Sequence, residues 1–342
     1  MRQMNGKRSV GILATGSYTP DRVLSNFDLE KMVDTSDEWI VSRTGIRERR
    51  ISSADQASSD LAYEAAKKAL ESAKLSPEQL DLIIVATVTP DTMFPSTACI
   101  LQEKLGAKRA AAMDLSAACT GFLYGVTTAT QFISNGLYKY VLVVGVESLS
   151  KITNYKDRNT CVLFGDGAGA AVIGEVQDGY GFQSFELGAD GSGGPLLCQP
   201  AGGSRIPASS ESVENNLHYL SMAGGEVFKF AVRVMNSATE AVLTKAGLTK
   251  DDIDLLVPHQ ANKRIIDSAV QRFGLSEDKV VINLDRFGNM SSASIPVALD
   301  EAVQTGRVKE GDHLVLVGFG GGLTWGATLL KWSTTPAEGS EK

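Results

Sequence analysis

Cysteine and histidine are scarce in this chain, and the few that occur are scattered. Among 342 residues there are four cysteines and three histidines. Cys99, Cys119, Cys161 and Cys198 form no CxxC pair and no metal-ligand spacing, which argues against a disulfide framework or zinc site and for a reducing compartment. Positive charge is also short. With 33 Lys and Arg against 40 Asp and Glu, the net charge of -7 and pI near 5.2 exclude general nucleic-acid binding, because a negative field repels phosphate backbones. An acidic partner would need a local basic patch. No apolar run reaches the roughly 18 residues of a membrane span. The start, Met1 to Val10, lacks the apolar stretch of a signal peptide. The expectation is a cytoplasmic protein with no membrane partner.

What is present suits an α/β enzyme: 43% apolar residues, 34 glycines and a mean hydropathy of -0.03. The length predicts two domains or one large duplicated one. Apolar runs predict buried strands at Leu82 to Thr87, Tyr140 to Gly145, Gly169 to Ile173, Ile253 to Val257 and Leu314 to Val317. Helical spacing predicts helices at Ser58 to Ala73, Thr120 to Ser134, Glu226 to Ala246 and Asn262 to Phe273. The chain repeats itself. Ala73 to Val85 matches Ala246 to Val257, Gly136 to Gly145 resembles Gly311 to Gly320, and Asn289 falls nearly opposite Cys119. Two similar halves whose equivalent loops meet are the expected architecture. Asp190 to Gly225, rich in Gly, Ser, Pro and Asn, reads as a long surface excursion of the kind that forms lids or tolerated insertions. The polar tail after Trp332 reads as frayed.

Cys119 stands where a strand ending near Leu115 runs through small residues into an apolar helix. The positive end of the helix dipole there favours thiolate. A buried inert thiol is the alternative, and the preferred reading for Cys99, Cys161 and Cys198. His259 follows a buried strand in a polar turn, where α/β sheets place ligand sites. Asn289, in a Gly-containing turn, can donate to a carbonyl without titrating. The glycine-rich stretch Phe319 to Gly326 offers backbone N–H groups for an oxyanion hole. Gly165 to Ala170 mimics a dinucleotide fingerprint but leads into a strand rather than a helix, so no nucleotide cofactor is expected.

From about Val10 to Trp332 these motifs resemble the β-ketoacyl-acyl-carrier-protein synthase III family. They include MVDTSDEWI, RTGIRERR, the Cys119 segment, FGDGAGAA, VPHQAN, GNMSSASIP and FGGG, in family order. The resemblance implies a five-layered αβαβα thiolase fold in a homodimer. It implies an N-terminal half over 1–180 carrying the nucleophile, a C-terminal half over 181–334 carrying His and Asn, and a flexible tail over 335–342. The implied reaction condenses a short acyl-CoA with malonyl-acyl carrier protein, with no metal or cofactor. Cys119 would be acylated, His259 and Asn289 would hold the second thioester's carbonyl, and the N–H groups of Cys119 and Gly321 would form the oxyanion hole. The implied coenzyme A tunnel is Thr35, Trp39, Arg43, Arg158, Gly224, Phe228, Ala261 and Asn262, with Trp39 and Arg158 sandwiching an adenine. Phe94, crossing between subunits, and Phe319 would shape the acyl pocket. Lys229, Arg233, Lys263, Arg264 and Arg272 would meet the acidic carrier protein around the tunnel mouth. Met290 and Leu323 depart from the family's frequent threonine and aromatic. A priming enzyme for polyketides or other acyl acceptors and a cysteine hydrolase share these residue types.

Overall fold

The computed structural model describes residues 8–337; the first seven and last five residues, with most of the Met1 to Val10 start and part of the polar tail, lie outside the described residues. Two sheets carry the chain, one from each half of the sequence. β1 (Val10–Tyr18), β2 (Leu82–Ala86), β3 (Ala111–Leu115), β4 (Val141–Ser148) and β5 (Asp166–Glu175) form the first, in the order β1-β5-β4-β2-β3. β6 (Gly181–Ala189), β7 (Leu255–Pro258), β8 (His313–Gly320) and β9 (Thr324–Lys331) form the second, in the order β7-β8-β9-β6. The pairs β2–β3, β2–β4 and β7–β8 are parallel; the rest are antiparallel.

Strands covered on both faces read as unbroken apolar runs, which is why β2, β4, β5, β7 and β8 were legible in sequence. The helices that cover them are α1 (Asp37–Thr44), α2 (Ser58–Ala73), α3 (Thr97–Leu105), α4 (Gly121–Ser134), α5 (Gly224–Ala246), α6 (Lys263–Phe273) and α7 (Ser294–Gln304). Side chains alternate along each strand. Leu82 and Ile84 pack inward on α4 and α7, together with Leu255 and Val257 of the other sheet. Ile83 and Val85 pack outward on α2 and α3, and Leu256 packs outward on α5 and α6. The result is helix, sheet, helix, sheet, helix: the five-layered αβαβα thiolase fold.

One constant residue offset relates Leu82 to Leu255, Ala118 to Ser291, Cys119 to Ser292, Gly121 to Ser294 and Gly145 to Gly318. The structure treats each pair alike. Ala118 and Ser291 both have positive φ, 47° and 44°. Asp81 accepts the N–H groups of Lys139 and Tyr140 where Asp254 accepts that of His313. The residue opposite Cys119 is therefore Ser292, not Asn289, and Gly145 answers to Gly318, not Gly320. The slip comes from aligning Met113-Asp114 with Leu284-Asp285 and Gly136 with Gly311, which are not equivalent at that offset.

Other expectations change too. The partner of β3 in the second half shrinks to a single bridge between Leu256 and Val280. The chain after Trp332 stays bonded as far as it is described, through Gln177 Nε2 to Ser333 Oγ and Ala337 N–H to Glu175 O. Between Asp190 and Gly225 lie a short helix (Ser210–Glu214) and a two-stranded ladder joining Leu197–Cys198 to Ser221–Met222. No helix among the described residues is long and apolar enough to cross a membrane.

Candidate active site

The loops that precede α4 and α7 meet at the seam between the halves. Glycine permits the approach: a Cβ on Gly145 would lie 2.2 Å from the Ser292 carbonyl oxygen, and one on Gly320 would lie 2.7 Å from Cys119 N. Cys119 sits in the single turn that leads into α4, 6% exposed. Its thiol faces an apolar cavity of about 110 Å³ whose lining includes Val88, Leu149, Ile152, Leu197, Leu220, Ser291 and Gly321. Cys119 and Gly321 thus border one space. Burial pushes the thiol up to about 12, against the direction in which the helix end acts.

His259 follows β7 and is 1% exposed. Its Nδ1 lies 2.5 Å from Ser294 Oγ, its ring meets Phe319 edge-on at 5.4 Å, and its buried Nε2 has no partner. Ser294 Oγ also receives the Gln260 N–H at 3.4 Å, and its hydroxyl can donate to Nδ1 or accept from it; where it donates, the ring proton sits on Nε2. Burial holds the ring pKa down at about 3, so His259 is neutral. A neutral Nε2–H is a donor for a carbonyl oxygen. Asn289 is oriented by its backbone, which bonds Leu163 O and Gly165 N, and by the Ser291 N–H donated to its Oδ1 at 2.8 Å. With Oδ1 occupied as an acceptor, the NH₂ end is the one left for a ligand.

A second cavity, about 660 Å³, opens on the other side of the Leu197–Met222 ladder. Trp39, Arg43, Gly224, Phe228 and Asn262 line it, and Thr35, Arg158 and Ala261 do not. Arg158 stacks directly on Trp39, its guanidinium carbon 4.5 Å from the ring centroid, and bonds the Asp34 carbonyl. That pair leaves no gap for an adenine between them. Asn262 has its amide committed, donating to Arg43 O and accepting the Arg264 N–H as the cap of α6. It fastens α1 to the second half. Arg264 rests on Phe228 at 5.3 Å, and Lys229 lines the same mouth while paired with Glu226. Lys263 pairs with Asp267. Arg272 pairs with Glu240 near the far end of α6, about 12 Å along the helix from Arg264, so it lies off the mouth.

Two further placements, of Phe319 and Cys198, depart from the sequence reading. Phe319 supports His259 and does not line the 110 Å³ cavity. Cys198, read as inert, lines that cavity with Cys119. Phe94 is 86% exposed and so packs in no core of this chain. Met290 and Leu323 are both buried; the former touches Gly167 and the latter Gly193. Sequence reasoning missed Glu147, which closes β4 with no exposed surface beside Ser291 and Ser292. The signal available was an acid ending the apolar run Val141 to Val146. Among the described residues no cluster of three or more His, Cys, Asp or Glu is placed to hold a metal ion.

Comparison with known proteins agrees with this architecture. The family described as 3-oxoacyl-[acyl-carrier-protein (ACP)] synthase III matches residues 113–191, and its C-terminal counterpart matches residues 243–332. The β-ketoacyl-[acyl-carrier-protein] synthase III of Desulfitobacterium hafniense (strain Y51) is 63% identical over 325 residues, 95% of this chain and 98% of that protein. The crystal structure of the Aquifex aeolicus VF5 3-oxoacyl-[acyl-carrier-protein] synthase III is 48% identical with a TM-score of 0.88, covering 94% of this chain and all of the other. The Thermus thermophilus β-ketoacyl-[acyl carrier protein] synthase III is 51% identical with a TM-score of 0.88, over 95% and 100% of the two chains. Identity of this order along nearly the whole length, on a shared thiolase fold, makes the chain a member of the β-ketoacyl-acyl-carrier-protein synthase III family.

Proposed function

We propose that this chain condenses a short acyl-CoA with malonyl-acyl carrier protein, releasing coenzyme A and carbon dioxide, through an acyl-Cys119 intermediate. The observation that carries the reading is His259, neutral and buried with an unpartnered Nε2, which we take in its Nε2–H tautomer. Such a group donates to the carbonyl of a malonyl thioester and stabilises the enolate left by decarboxylation, with the Asn289 amide as the second donor. It is too weak a base to serve a cysteine hydrolase, which would need it to deprotonate the nucleophile. The cavity beside Cys119 has room for a few carbon atoms, which suits a short primer.

Coenzyme A then occupies the 660 Å³ mouth, meeting Trp39, Arg43, Phe228 and Gly224, and Arg158 must swing off Trp39 for an adenine to stack there. Arg264 and Lys229 offer the mouth's positive charge to the acidic carrier protein. The protein works as a cytoplasmic homodimer with exposed Phe94 at the subunit boundary, and its halves divide near residues 180–181. The test is intact mass after mixing with acetyl-CoA or a branched short acyl-CoA. One acyl group per chain, mapped to Cys119 and lost in Cys119→Ala, is expected. Labelling mapped to Cys198 would sink the assignment.

A further inference from the structure

Because the two halves are built on one plan, a side chain that one half carries and the other omits is not demanded by the fold. At the offset that relates Leu82 to Leu255, Asp81 answers to Asp254, and both accept N–H groups at the start of the neighbouring strand. That contact is structural. Lys74 and Lys139, at the same offset, answer to Gly247 and Asp312. Two positive charges of the first half have no counterpart in the second.

Lys74 also holds a position that suits it poorly. It ends α2 with φ 56°, in the left-handed region where Gly247 ends α5 at φ 75° and where glycine ends α1, α3 and α6. A side chain is strained there and glycine is not. Helix packing alone gives no reason for this lysine.

Lys74, Arg109 and Lys139 line one cavity of about 780 Å³ at the foot of the first sheet, beside the residues that precede β2 and β4. Leu13, Leu75 and Tyr140 give it an apolar wall. Among the described residues no ion pair, side-chain hydrogen bond or ring contact engages Lys74 or Arg109. Gln79, on the same lining, accepts the Ser76 N–H on Oε1 at 2.9 Å, so its NH₂ end is the one left for a ligand. The one lining acid, Asp81, commits Oδ2 to the N–H groups of Lys139 and Tyr140 at 2.7 and 3.0 Å. In a chain of net charge -7, three cations around one cavity against a single acid make a local positive field.

We propose that this cavity binds a small phosphate-bearing anion, with Lys74 and Arg109 on the phosphate, the Gln79 amide as a further donor, and the organic part against Leu75 and Tyr140. The Arg109 guanidinium is a planar fork that matches two phosphate oxygens, and a lysine adds a point charge beside it. The volume is that of a small-molecule site. No lining residue is shared with the cavity beside Cys119 or with the 660 Å³ mouth. Tyr140 lies before β4 and Gly145 abuts the seam, so roughly 16 Å of extended strand separate the two ends. A ligand here leaves the seam open.

The experiment is calorimetric titration of the full chain with inorganic pyrophosphate at low salt, with sodium chloride at equal ionic strength as the control for screening. The parent should bind pyrophosphate saturably, and chloride should not reproduce the heat. Lys74→Gly installs the residue of the other half and relieves the backbone; Arg109→Ala removes the fork. Each should weaken binding about tenfold, the effect of losing one charged hydrogen-bonding partner. Lys74→Gly should unfold at no lower temperature than the parent, which separates lost binding from lost folding. Arg43→Ala, at the 660 Å³ mouth, should leave this binding in place. Binding that disappears in Arg43→Ala yet persists unchanged in Lys74→Gly and Arg109→Ala would put the anion in that mouth and overturn the proposal. Absence of saturable binding to the parent would overturn it as well, leaving Lys74 and Arg109 as solvated charges.

Discussion

A histidine in water titrates near pH 6.5; packed against Ser294 and Phe319, His259 stays neutral to about pH 3. Two outcomes follow at this residue. If His259 and Asn289 donate to enolate charge, His259→Ala and Asn289→Ala should lower carbon dioxide release from a malonyl thioester by about a hundredfold to a thousandfold. Acyl transfer to Cys119 should fall by less than about tenfold. The two half-reaction rates, measured separately, check this, and loss of acylation with decarboxylation intact would reverse the roles. The second outcome concerns acid stability. Between about pH 6.5 and 3 the unfolded chain binds a proton at His259 that the folded chain refuses, so folding stability rises with pH across that window. Acidifying from pH 7 to 4 should cost the parent up to roughly 3 kcal/mol more than His259→Asn. Urea midpoints at the two pH values give the difference. Equal losses in both proteins would mean His259 takes its proton while folded.

Among the elements, the strand ends carry the seam. Gly145 in β4 and Gly320 in β8 let each half accept the other's loop, and at Gly145 there is no room for one more carbon. Gly145→Ala should cost about 1–3 kcal/mol, because the obstructing atom is a backbone carbonyl that cannot swing aside. Gly203→Ala, with nothing within 4 Å, should stay within about 0.5 kcal/mol of the parent. Denaturant midpoints of the two variants decide whether the seam is as tight as it looks. Element existence was legible where burial on two faces makes an apolar run, as in β2, β4, β7 and β8. It was not legible in β9, where Gly320 to Gly326 reads as a loop although Thr324–Lys331 pairs with both neighbours. Of the glycines there, Gly320 and Gly326 lie in strands, the first packed closely against Cys119, and only Gly321 and Gly322 belong to the turn between them.

For the whole molecule, Met93 and Phe94 stand 77% and 86% exposed on the loop before α3. Phe94→Asp should shift the protein from dimer to monomer in sedimentation at micromolar concentration, since a buried charge at a subunit boundary is strongly opposed. A dimer that persists unchanged would move the boundary elsewhere. At the tunnel mouth, Arg264→Glu should weaken the use of malonyl-carrier protein at least tenfold and more so at low salt, while acylation by acyl-CoA is spared. Equal loss in both half-reactions would point instead to damage in the pocket.

By itself the sequence determined the two apolar sheet systems, their repetition, and the candidacy of Cys119, His259 and Asn289, because apolar periodicity and turn composition are local properties written in consecutive residues. Only the tertiary structure decided the true register of the repeat, the ionisation of the site and the place of Glu147. Each depends on which groups far apart in the chain come within a few ångströms. Burial pushes the Cys119 thiol up and keeps His259 neutral. Glu147 meets Ser292 across 145 positions of sequence, a contact that no window of residues can display.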